Sequence, residues 1–213
     1  MNDVPKPYHH GDLRRAMLDT AMDMLAEDNG WQFTLRELAR RAGVSHTASY
    51  KHFPDKAALL AELALIGFDK LRVALLAARP PAPSSLRDQF LEMSRAYVRF
   101  GSANPNLYRL MFSADARAAA SERLKEHGAA ALAVLVDLIE EGQRAGWLRK
   151  REVYEQVGAG WAQLHGVTLL TIDGLLGPDV IRSEHAAEAA LQILLEGLEA
   201  VRELGASPAR RPG

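Results

Sequence analysis

The sequence predicts an all-α protein, in which an N-terminal three-helix domain built around a helix-turn-helix precedes a larger C-terminal helical bundle. Three observations lead to this fold class. Apolar residues recur every three or four positions through most of the 213 residues, and no segment shows the alternation of a convincing strand. Capping residues, glycines and prolines separate the periodic stretches. With 48% hydrophobic residues, the chain can bury a sizeable core.

The first helix is predicted to begin at Asp12, a good N-cap residue, and to end near Asp28, before the Asn-Gly pair at 29–30. Residues 1–10 hold two prolines and no apolar period, so we expect a flexible arm there. One face of the helix is apolar and is formed by Leu13, Met17, Ala21, Met24 and Leu25.

Two short helices joined by a tight turn are predicted next. Thr34 can cap the first of them, Gly43 can end it in the left-handed conformation, and Ser45 can cap the second. The second of the two spans about 46 to 53, because Pro54 disfavours helical geometry in the residue before it.

The outer face of that second short helix has few apolar residues and is predicted to serve a purpose other than packing. Its side chains can bond to phosphates and base edges, and they are His46, Thr47, Ser49, Tyr50, Lys51 and His52. Although the whole chain has a net charge of only −1, five basic residues stand against two acidic ones between Thr34 and Lys56. A helical hairpin with a merely solvated face remains the alternative.

The remaining elements are predicted to be helices. A connecting helix from about 55 to 78 would be roughly 35 Å long, enough to join two domains. Prolines at 79–85 interrupt the pattern, and further helices follow at about 85–101, 105–113, 116–145, 150–176 and 183–204. The predicted domains are an arm and helix-turn-helix domain at 1–56, the connecting helix at 57–79, a second domain at 80–205 and a flexible tail at 206–213.

The helix predicted at 150–176 has no charged residue between Glu155 and Asp173, so it must be buried on more than one side. A membrane span is the less favoured alternative, because the stretch contains several glycines and polar residues. We expect a homodimer, with a four-helix interface to which this helix and the last one contribute. The apolar stripe of the last helix consists of Ala187, Leu191, Leu194, Leu195, Leu198 and Val201.

The run from Tyr8 to Leu60 resembles the DNA-binding domain of the TetR/AcrR family of transcriptional regulators. The resemblance is carried by the threonine-capped helix, by the AGVS turn at 42–45, and by Tyr50, Phe53 and Lys56 in a Y-x-x-F-x-x-K pattern. Further along, GWAQLHG at 160–166 is similar to a W-x-x-x-H-G signature in the C-terminal domains of one subgroup.

The resemblance implies a ligand-responsive repressor that binds a near-palindromic double-stranded DNA operator as a dimer. It implies that Thr34, Tyr50 and Lys56 contact phosphates, that His46 and Thr47 meet base edges, and that Lys51 and His52 lie along the DNA backbone. Ser45 completes this predicted DNA-binding set. Phe53 would belong to the small core. The operator itself does not follow, because Ser49 stands where an aliphatic residue is frequent and Thr47 where a small one is.

The second domain has enough bulky side chains to line a cavity for a small, mostly neutral and apolar effector. The alternative is a filled core. His165 is the polar candidate, since it shares a helix face with Trp161, Leu164 and Thr168. The predicted ligand-binding residues are Phe90, Met93, Tyr97, Tyr108, Met111, Phe112, Leu135, Trp161, Leu164 and His165.

Several function classes are disfavoured. The chain has no cysteine, which excludes disulfides and thiolate metal sites, and its histidines show no HExxH spacing. We therefore expect no metal, no cofactor and no enzyme activity. The start of the sequence has no apolar stretch typical of a signal peptide, which favours a cytoplasmic protein. A helical protein that binds small molecules without a DNA function is the alternative to a regulator.

Overall fold

The computed structural model describes residues 10–27, 30–79, 85–177 and 185–200. Within them the chain forms α-helices joined by short turns, and an isolated bridge between Leu148 and Glu199 is the extent of β-pairing in these ranges. The all-α class is thereby confirmed. The helices are α1 (His10–Leu25), α2 (Leu35–Arg41), α3 (His46–His52), α4 (Lys56–Ala77), α5 (Leu86–Ala103), α6 (Pro105–Met111), α7 (Ala114–Arg144), α8 (Val153–Ile172) and α9 (Ala186–Leu198).

Helix α1 differs from its predicted bounds at both ends. It begins at His10, so Asp12 lies inside the helix and does not cap it. It ends at Leu25 because the next turn tightens, with the Glu27 N–H donating to the Met24 carbonyl at 3.2 Å. The predicted arm lies mostly outside the described residues, as do Asp28 and Asn29.

The turn between α2 and α3 has the geometry that its residues favour. Gly43 takes a positive φ of 66°, and the Val44 N–H donates to the Ala39 carbonyl at 2.9 Å, closing a Schellman motif. The Ser45 hydroxyl then accepts from the Ala48 N–H at 3.2 Å and caps α3. The angle between the two helices is therefore fixed by local hydrogen bonds.

Helix α4 connects the N-terminal helices to the bundle. It contacts α1 near its start and packs against α5, α6 and, most extensively, α7 along the rest of its length. Its buried side chains lie on several faces, and the apolar core runs without interruption from α1–α3 into the bundle. A movement of α4 would therefore displace residues in both the N-terminal helices and the bundle.

Three helices of the bundle start or end away from their predicted positions. Helix α7 begins at Ala114, because Ser113 caps it, and it departs from helical geometry at Ala120. Helix α8 begins only at Val153. Its start is set by Glu152, whose carboxylate accepts from the Glu155 N–H at 2.7 Å as an N-cap. Earlier in the chain, the Ala200 N–H, just beyond α9, donates to the Trp147 carbonyl at 2.9 Å. The same pairing ends α9 at Leu198.

Four leucines of the stripe predicted on the last helix face inward, while Ala187 is half-buried and Val201 lies outside the described residues. Leu191, Leu194, Leu195 and Leu198 are buried within the chain, where α9 packs on α5 and α8. The exposed apolar positions of the two helices are different ones, chiefly Tyr154, Trp161, Leu170 and Ile193. In the part of the chain that the structure describes, no helix is long and apolar enough to cross a membrane.

Candidate nucleic-acid interface and apolar cavity

Helix α3 is held by its inner side chains and presents the rest to solvent. Phe53, just beyond its end, is 1% exposed and anchors the helix in the N-terminal core. Ser49, expected on the outer face, is wholly buried, and its hydroxyl donates to the His46 carbonyl at 2.7 Å. This corrects the sequence interpretation: a serine can fill an inward position by bonding to its own helix.

The outer surface of α3 brings together most of the predicted DNA-binding set. His46, Thr47, Tyr50 and Lys51 are exposed, and His52 is half-buried. The rings of His46 and Tyr50 meet edge to face, with centroids 4.9 Å apart. These neighbours offer ring nitrogens, hydroxyls and an ammonium group side by side, a mixture that suits both phosphates and base edges.

The two N-cap residues, Thr34 and Ser45, differ in whether their hydroxyl can still donate to another group. The Thr34 hydroxyl accepts from the Glu37 N–H and donates to the Glu37 carboxylate at 2.9 Å. The Thr34 backbone N–H donates to the same carboxylate at 2.7 Å, which completes a capping box. Bonds from the backbone and hydroxyl of Thr34 hold the pKa of Glu37 below its ordinary value. Because phosphate oxygens only accept, Thr34 offers them no hydroxyl donor in this conformation. The Ser45 hydroxyl only accepts in its cap, so it can still donate.

Some basic residues near α3 contact other side chains of the protein, and others are exposed to solvent. Lys56 lies over the Phe33 ring, 5.7 Å from its centroid, and is half-buried. Arg41 forms an ion pair with Glu27 that ties α2 to the end of α1. Arg36 and Arg40 are exposed and flank a shallow depression that reaches His46. Neither was in the predicted site, although their spacing of four residues on a helix already put them on one face.

Three sets of contacts join the N-terminal helices to the bundle. The Asn106 amide of α6 donates to the Leu25 and Glu27 carbonyls at 2.9 and 3.0 Å, at the end of α1. Trp31 donates to Asp115, the second residue of α7, at 3.2 Å. Glu62 of α4 forms ion pairs with Arg14 of α1 and Arg123 of α7. These contacts connect α6 and α7 directly to the helices that present α3.

Glu62 is ionised in this arrangement. Burial would raise its pKa, but the hydrogen bonds from Arg123 and Arg14 outweigh burial and hold the pKa of Glu62 below its ordinary value. Its side chain is 19% exposed.

A cavity of about 310 Å³ lies inside the bundle, between α4, α5, α7 and α8. Six predicted ligand-binding residues line it: Met93, Tyr97, Phe112, Leu135, Trp161 and Leu164. Sequence reasoning missed the contributions of α4 and α7, which are Phe68, Leu71, Leu75, Lys125, Gly128, Ala129, Ala131 and Leu132. The pattern of α4 showed apolar residues on several faces, but not which of them face an open space.

The other four predicted ligand-binding residues are placed outside the cavity wall. Phe90 is fully buried and packs edge-on against Trp147, with centroids 6.3 Å apart. Met111 packs against Gly67 of α4, where a Cβ would lie 2.7 Å from its side chain. Tyr108 and His165 lie behind the wall, in contact with Tyr97, Phe112 and Trp161 through hydrogen bonds or rings.

A chain of hydrogen bonds reaches the cavity from behind. The His165 Nδ1 lies 2.7 Å from the Tyr108 hydroxyl, and the Tyr108 and Tyr97 hydroxyls are 3.0 Å apart. The Trp161 indole N–H donates to the Tyr97 hydroxyl at 3.2 Å. Burial raises the pKa of both tyrosines and lowers that of His165, so all three groups favour their neutral forms.

Comparisons with known proteins find matches to both parts of the chain. A family model described as "Tetracyclin repressor-like, C-terminal domain" matches residues 90–202, and one described as "Bacterial regulatory proteins, tetR family" matches residues 17–63. The chain is 34% identical over 115 residues to the nucleoid occlusion factor SlmA of Marinomonas sp. (strain MWYL1). That similarity covers 54% of this chain and 57% of the relative, little more than half of its length.

Solved structures extend the similarity to the whole fold. A protein of unknown function from Rhodococcus sp. RHA1 superposes with a TM-score of 0.79 at 35% identity, covering 92% of this chain and all (100%) of the other. A TetR family transcription regulator from Marinobacter aquaeolei VT8 superposes with a TM-score of 0.65, covering 89% and 96% of the two chains. At 17% identity, the second match concerns the fold alone.

Proposed function

The chain belongs to the TetR family of bacterial regulatory proteins, and from this premise we propose that it is a repressor released from DNA by a small apolar effector. The observation that carries the proposal is the position of the cavity. Its wall includes Phe68, Leu71 and Leu75 of α4, the helix that continues from the DNA-binding domain into the bundle. A molecule in the cavity therefore contacts the element that both parts share.

Transcription regulation and DNA binding are properties of this family. For this chain we propose that His46 and Thr47, at the start of α3, meet base edges in the major groove. Ser45, Tyr50, Lys51, His52 and Lys56 would contact the backbone. Thr34 would support them as a cap, contacting phosphate only if Glu37 moved. Arg36 and Arg40 would extend the phosphate contacts beside His46.

A homodimer is part of the proposal, because α8 and α9 leave one face open. Tyr154, Gly158 and Ala162 lie on one side of α8 at spacings of four residues and are exposed. Leu170 near the end of α8 and Ile193 on α9 are exposed as well. A Cβ at Gly158 or Gly166 would meet nothing within 4 Å, so a second backbone has room to approach. Two copies would present their α3 helices roughly 34–36 Å apart, as a near-palindromic operator requires.

The release mechanism follows from two connections to the cavity. Helix α4 lines it directly, while α6 carries Tyr108 behind its wall and Asn106 at the end of α1. A ligand that binds more tightly to a shifted arrangement of these helices would raise the population of that arrangement. The size of the shift is set by the difference between its affinities for the two arrangements. The DNA affinity must fall by the same coupling factor, which is typically about 5- to 150-fold.

The first experiment is selection of bound sequences from a random duplex pool by the purified protein. The proposal predicts a near-palindromic consensus whose half-sites lie about one helical turn apart. A consensus with a single half-site would contradict the dimeric mode of binding. Absence of enrichment at low salt would favour a ligand-binding protein without a DNA function. Because bacterial chromosomal DNA is the target, the proposed site of action is the cytoplasm.

A further inference from the structure

The cavity wall is apolar except at two places. One is Lys125, whose ammonium group is paired with Glu122 at 2.7 Å and whose side chain is 72% exposed, so it lies at the edge of the cavity. The other is Tyr97, a lining residue whose hydroxyl ends the hydrogen-bonded chain from His165. Only the second is an interior polar group, since Tyr97 is 5% exposed.

We propose that Tyr97 is the recognition residue of the cavity, and that the effector is a small, mainly hydrocarbon molecule with one neutral oxygen, a ketone, ester or alcohol. This inference rests on the proposed effector role of the cavity.

The first step of the argument is the hydrogen-bonding capacity of Tyr97. Its oxygen already accepts from the Trp161 N–H. If His165 carries its proton on Nδ1, that proton goes to Tyr108, the Tyr108 proton goes to Tyr97, and the Tyr97 proton has no recipient among the described contacts. A carbonyl or hydroxyl oxygen in the cavity would accept it.

The opposite direction of the chain is also possible, and it leads to the same class of ligand. With the proton on Nε2, Tyr108 donates to His165 and Tyr97 donates to Tyr108. Tyr97 then retains one acceptor position, which a ligand hydroxyl can use. A ligand carbonyl can bond to Tyr97 in the first arrangement only, whereas an alcohol, which both donates and accepts, can bond to it in both.

The second step excludes a charged group at this end of the cavity. Tyr97, Tyr108 and His165 all favour their neutral forms, because burial raises the pKa of the tyrosines and lowers that of His165. The neighbouring walls are the apolar side chains of Met93, Phe112 and Leu164. A carboxylate or ammonium group would lose its hydration there without an opposite charge.

The size of the cavity limits the ligand further. A volume of about 310 Å³ is at the lower end of the range for pockets that hold drug-sized molecules. A molecule with one or two rings, or a short branched chain, is therefore the expected size.

Three isosteric probes test the proposal: 2-ethylnaphthalene without oxygen, 2-acetylnaphthalene with a ketone, and 2-naphthoate with a charge. Their dissociation constants with the full-length protein would be measured by calorimetry. One neutral hydrogen bond corresponds to about fivefold to tenfold in affinity. We expect the ketone to bind about that much more tightly than the hydrocarbon, and the carboxylate most weakly.

Tyr97→Phe removes the hydroxyl and keeps the ring, so the preference for the ketone over the hydrocarbon should disappear in this variant. Tyr154→Phe, at a tyrosine that is 68% exposed, is the matched control and should keep the full preference. Gly128→Leu should weaken all three probes, because Gly128 lines the cavity beside Phe68. A preference that persists in Tyr97→Phe, or tightest binding of 2-naphthoate, would overturn the recognition role of Tyr97.

The outcomes separate this inference from the proposed function. Equal affinity of the wild-type protein for the hydrocarbon, for the ketone and for the matching alcohol, 1-(2-naphthyl)ethanol, overturns the inference and leaves the effector cavity standing. If none of the probes binds, both the recognition role of Tyr97 and the effector role of the cavity are contradicted. If the ketone binds preferentially but leaves the affinity for the selected operator unchanged, recognition by Tyr97 holds and the coupling to DNA fails. Because the wild-type comparison needs no variant, poor folding of Tyr97→Phe would not prevent a decision.

Discussion

At the scale of single residues, α3 shows how neighbouring positions on a seven-residue helix acquire opposite roles. Ser49 is buried and bonded within the helix, whereas Tyr50 beside it is 45% exposed. Lys51 is exposed and belongs to no ion pair among the described residues, so its charge is available to a phosphate. The contrast with the buried position decides which substitutions should affect DNA binding and which should affect stability.

We predict that Lys51→Ala lowers the salt dependence of operator binding. Each lost phosphate contact reduces the slope of log K against log salt by about 0.9, and two protomers would lose about 1.8. The measurement is fluorescence anisotropy with the selected operator from low to moderate salt. Lys150→Ala, at an exposed lysine outside the DNA-facing helices, should leave the slope unchanged. An unchanged slope for Lys51→Ala would remove this residue from the interface.

The capping box gives a second prediction at this scale. Thr34→Ala should lower the free energy of unfolding by about 1 kcal/mol, because the Glu37 N–H loses its side-chain acceptor. Urea unfolding measures this, with Thr47→Ala as the exposed control that should be nearly neutral. If Thr34→Ala instead weakened operator binding tenfold at unchanged stability, Thr34 would be a phosphate contact and not chiefly a cap.

At the scale of elements, α4, α6 and α7 form the link between the two functional regions. Helix α4 passes through both cores, α6 reaches the end of α1 through Asn106, and α7 reaches α1 through Arg123 and Glu62. The ion pairs of Glu62 are formed between α1, α4 and α7, so they depend on the relative position of these three helices. We therefore expect a change at Glu62 to alter the coupling between ligand binding and DNA binding.

We predict that Glu62→Gln reduces the effect of a bound ligand on DNA affinity and destabilises the fold by about 1 kcal/mol, as expected for a partly exposed ion pair. Glu140→Gln, at an exposed glutamate near the other end of α7, is the control. The readout is operator affinity with and without a cavity ligand. Equal ligand effects in Glu62→Gln and wild type would contradict a role of Glu62 in coupling.

The same variant has a defined pH dependence. The folded-state pKa of Glu62 is lowered, so its contribution to stability is present above the unfolded value of about 4.3 and is lost as the pH falls through the folded pKa. The stability difference between wild type and Glu62→Gln should therefore be largest near neutral pH and shrink in acid. A difference that grows as the pH falls would show that the carboxylate is not the stabilising form.

At the scale of the whole molecule, the proposed subunit face on α8 and α9 would determine whether two α3 helices can contact one operator. Ile193 is 65% exposed, although all the leucines on the same helix, α9, are buried. An exposed aliphatic side chain next to a row of small residues is typical of an interface between subunits.

We predict that Ile193→Asp converts a dimer to a monomer and weakens operator binding by at least tenfold, because each half-site would then be bound independently. Analytical ultracentrifugation measures the mass, and anisotropy the affinity. Val73→Asp is the matched control, since Val73 on α4 is similarly exposed at 62% and lies on another helix. Should Val73→Asp and not Ile193→Asp dissociate the protein, the subunit interface would lie on α4.

The sequence by itself determined the fold class, the family and the turn between α2 and α3. These depend on local physics: the period of apolar residues, the capping by Thr34 and Ser45, and the positive φ of Gly43 are all effects of near neighbours. Helix ends were less predictable where a distant segment competed, as at the end of α9, where Leu198 and Ala200 bond to Arg149 and Trp147.

Only the tertiary structure decided which apolar faces are filled and which are open. Periodicity puts Phe90 and Met93 on apolar faces alike, yet Phe90 packs on Trp147 while Met93 lines the cavity. In the same way it cannot distinguish the leucines of α9, which are buried within the chain, from Ile193, which is exposed. A cavity and an exposed apolar face are both formed by helices that are distant in sequence. They depend on how whole helices pack against one another, and a local sequence pattern does not contain that information.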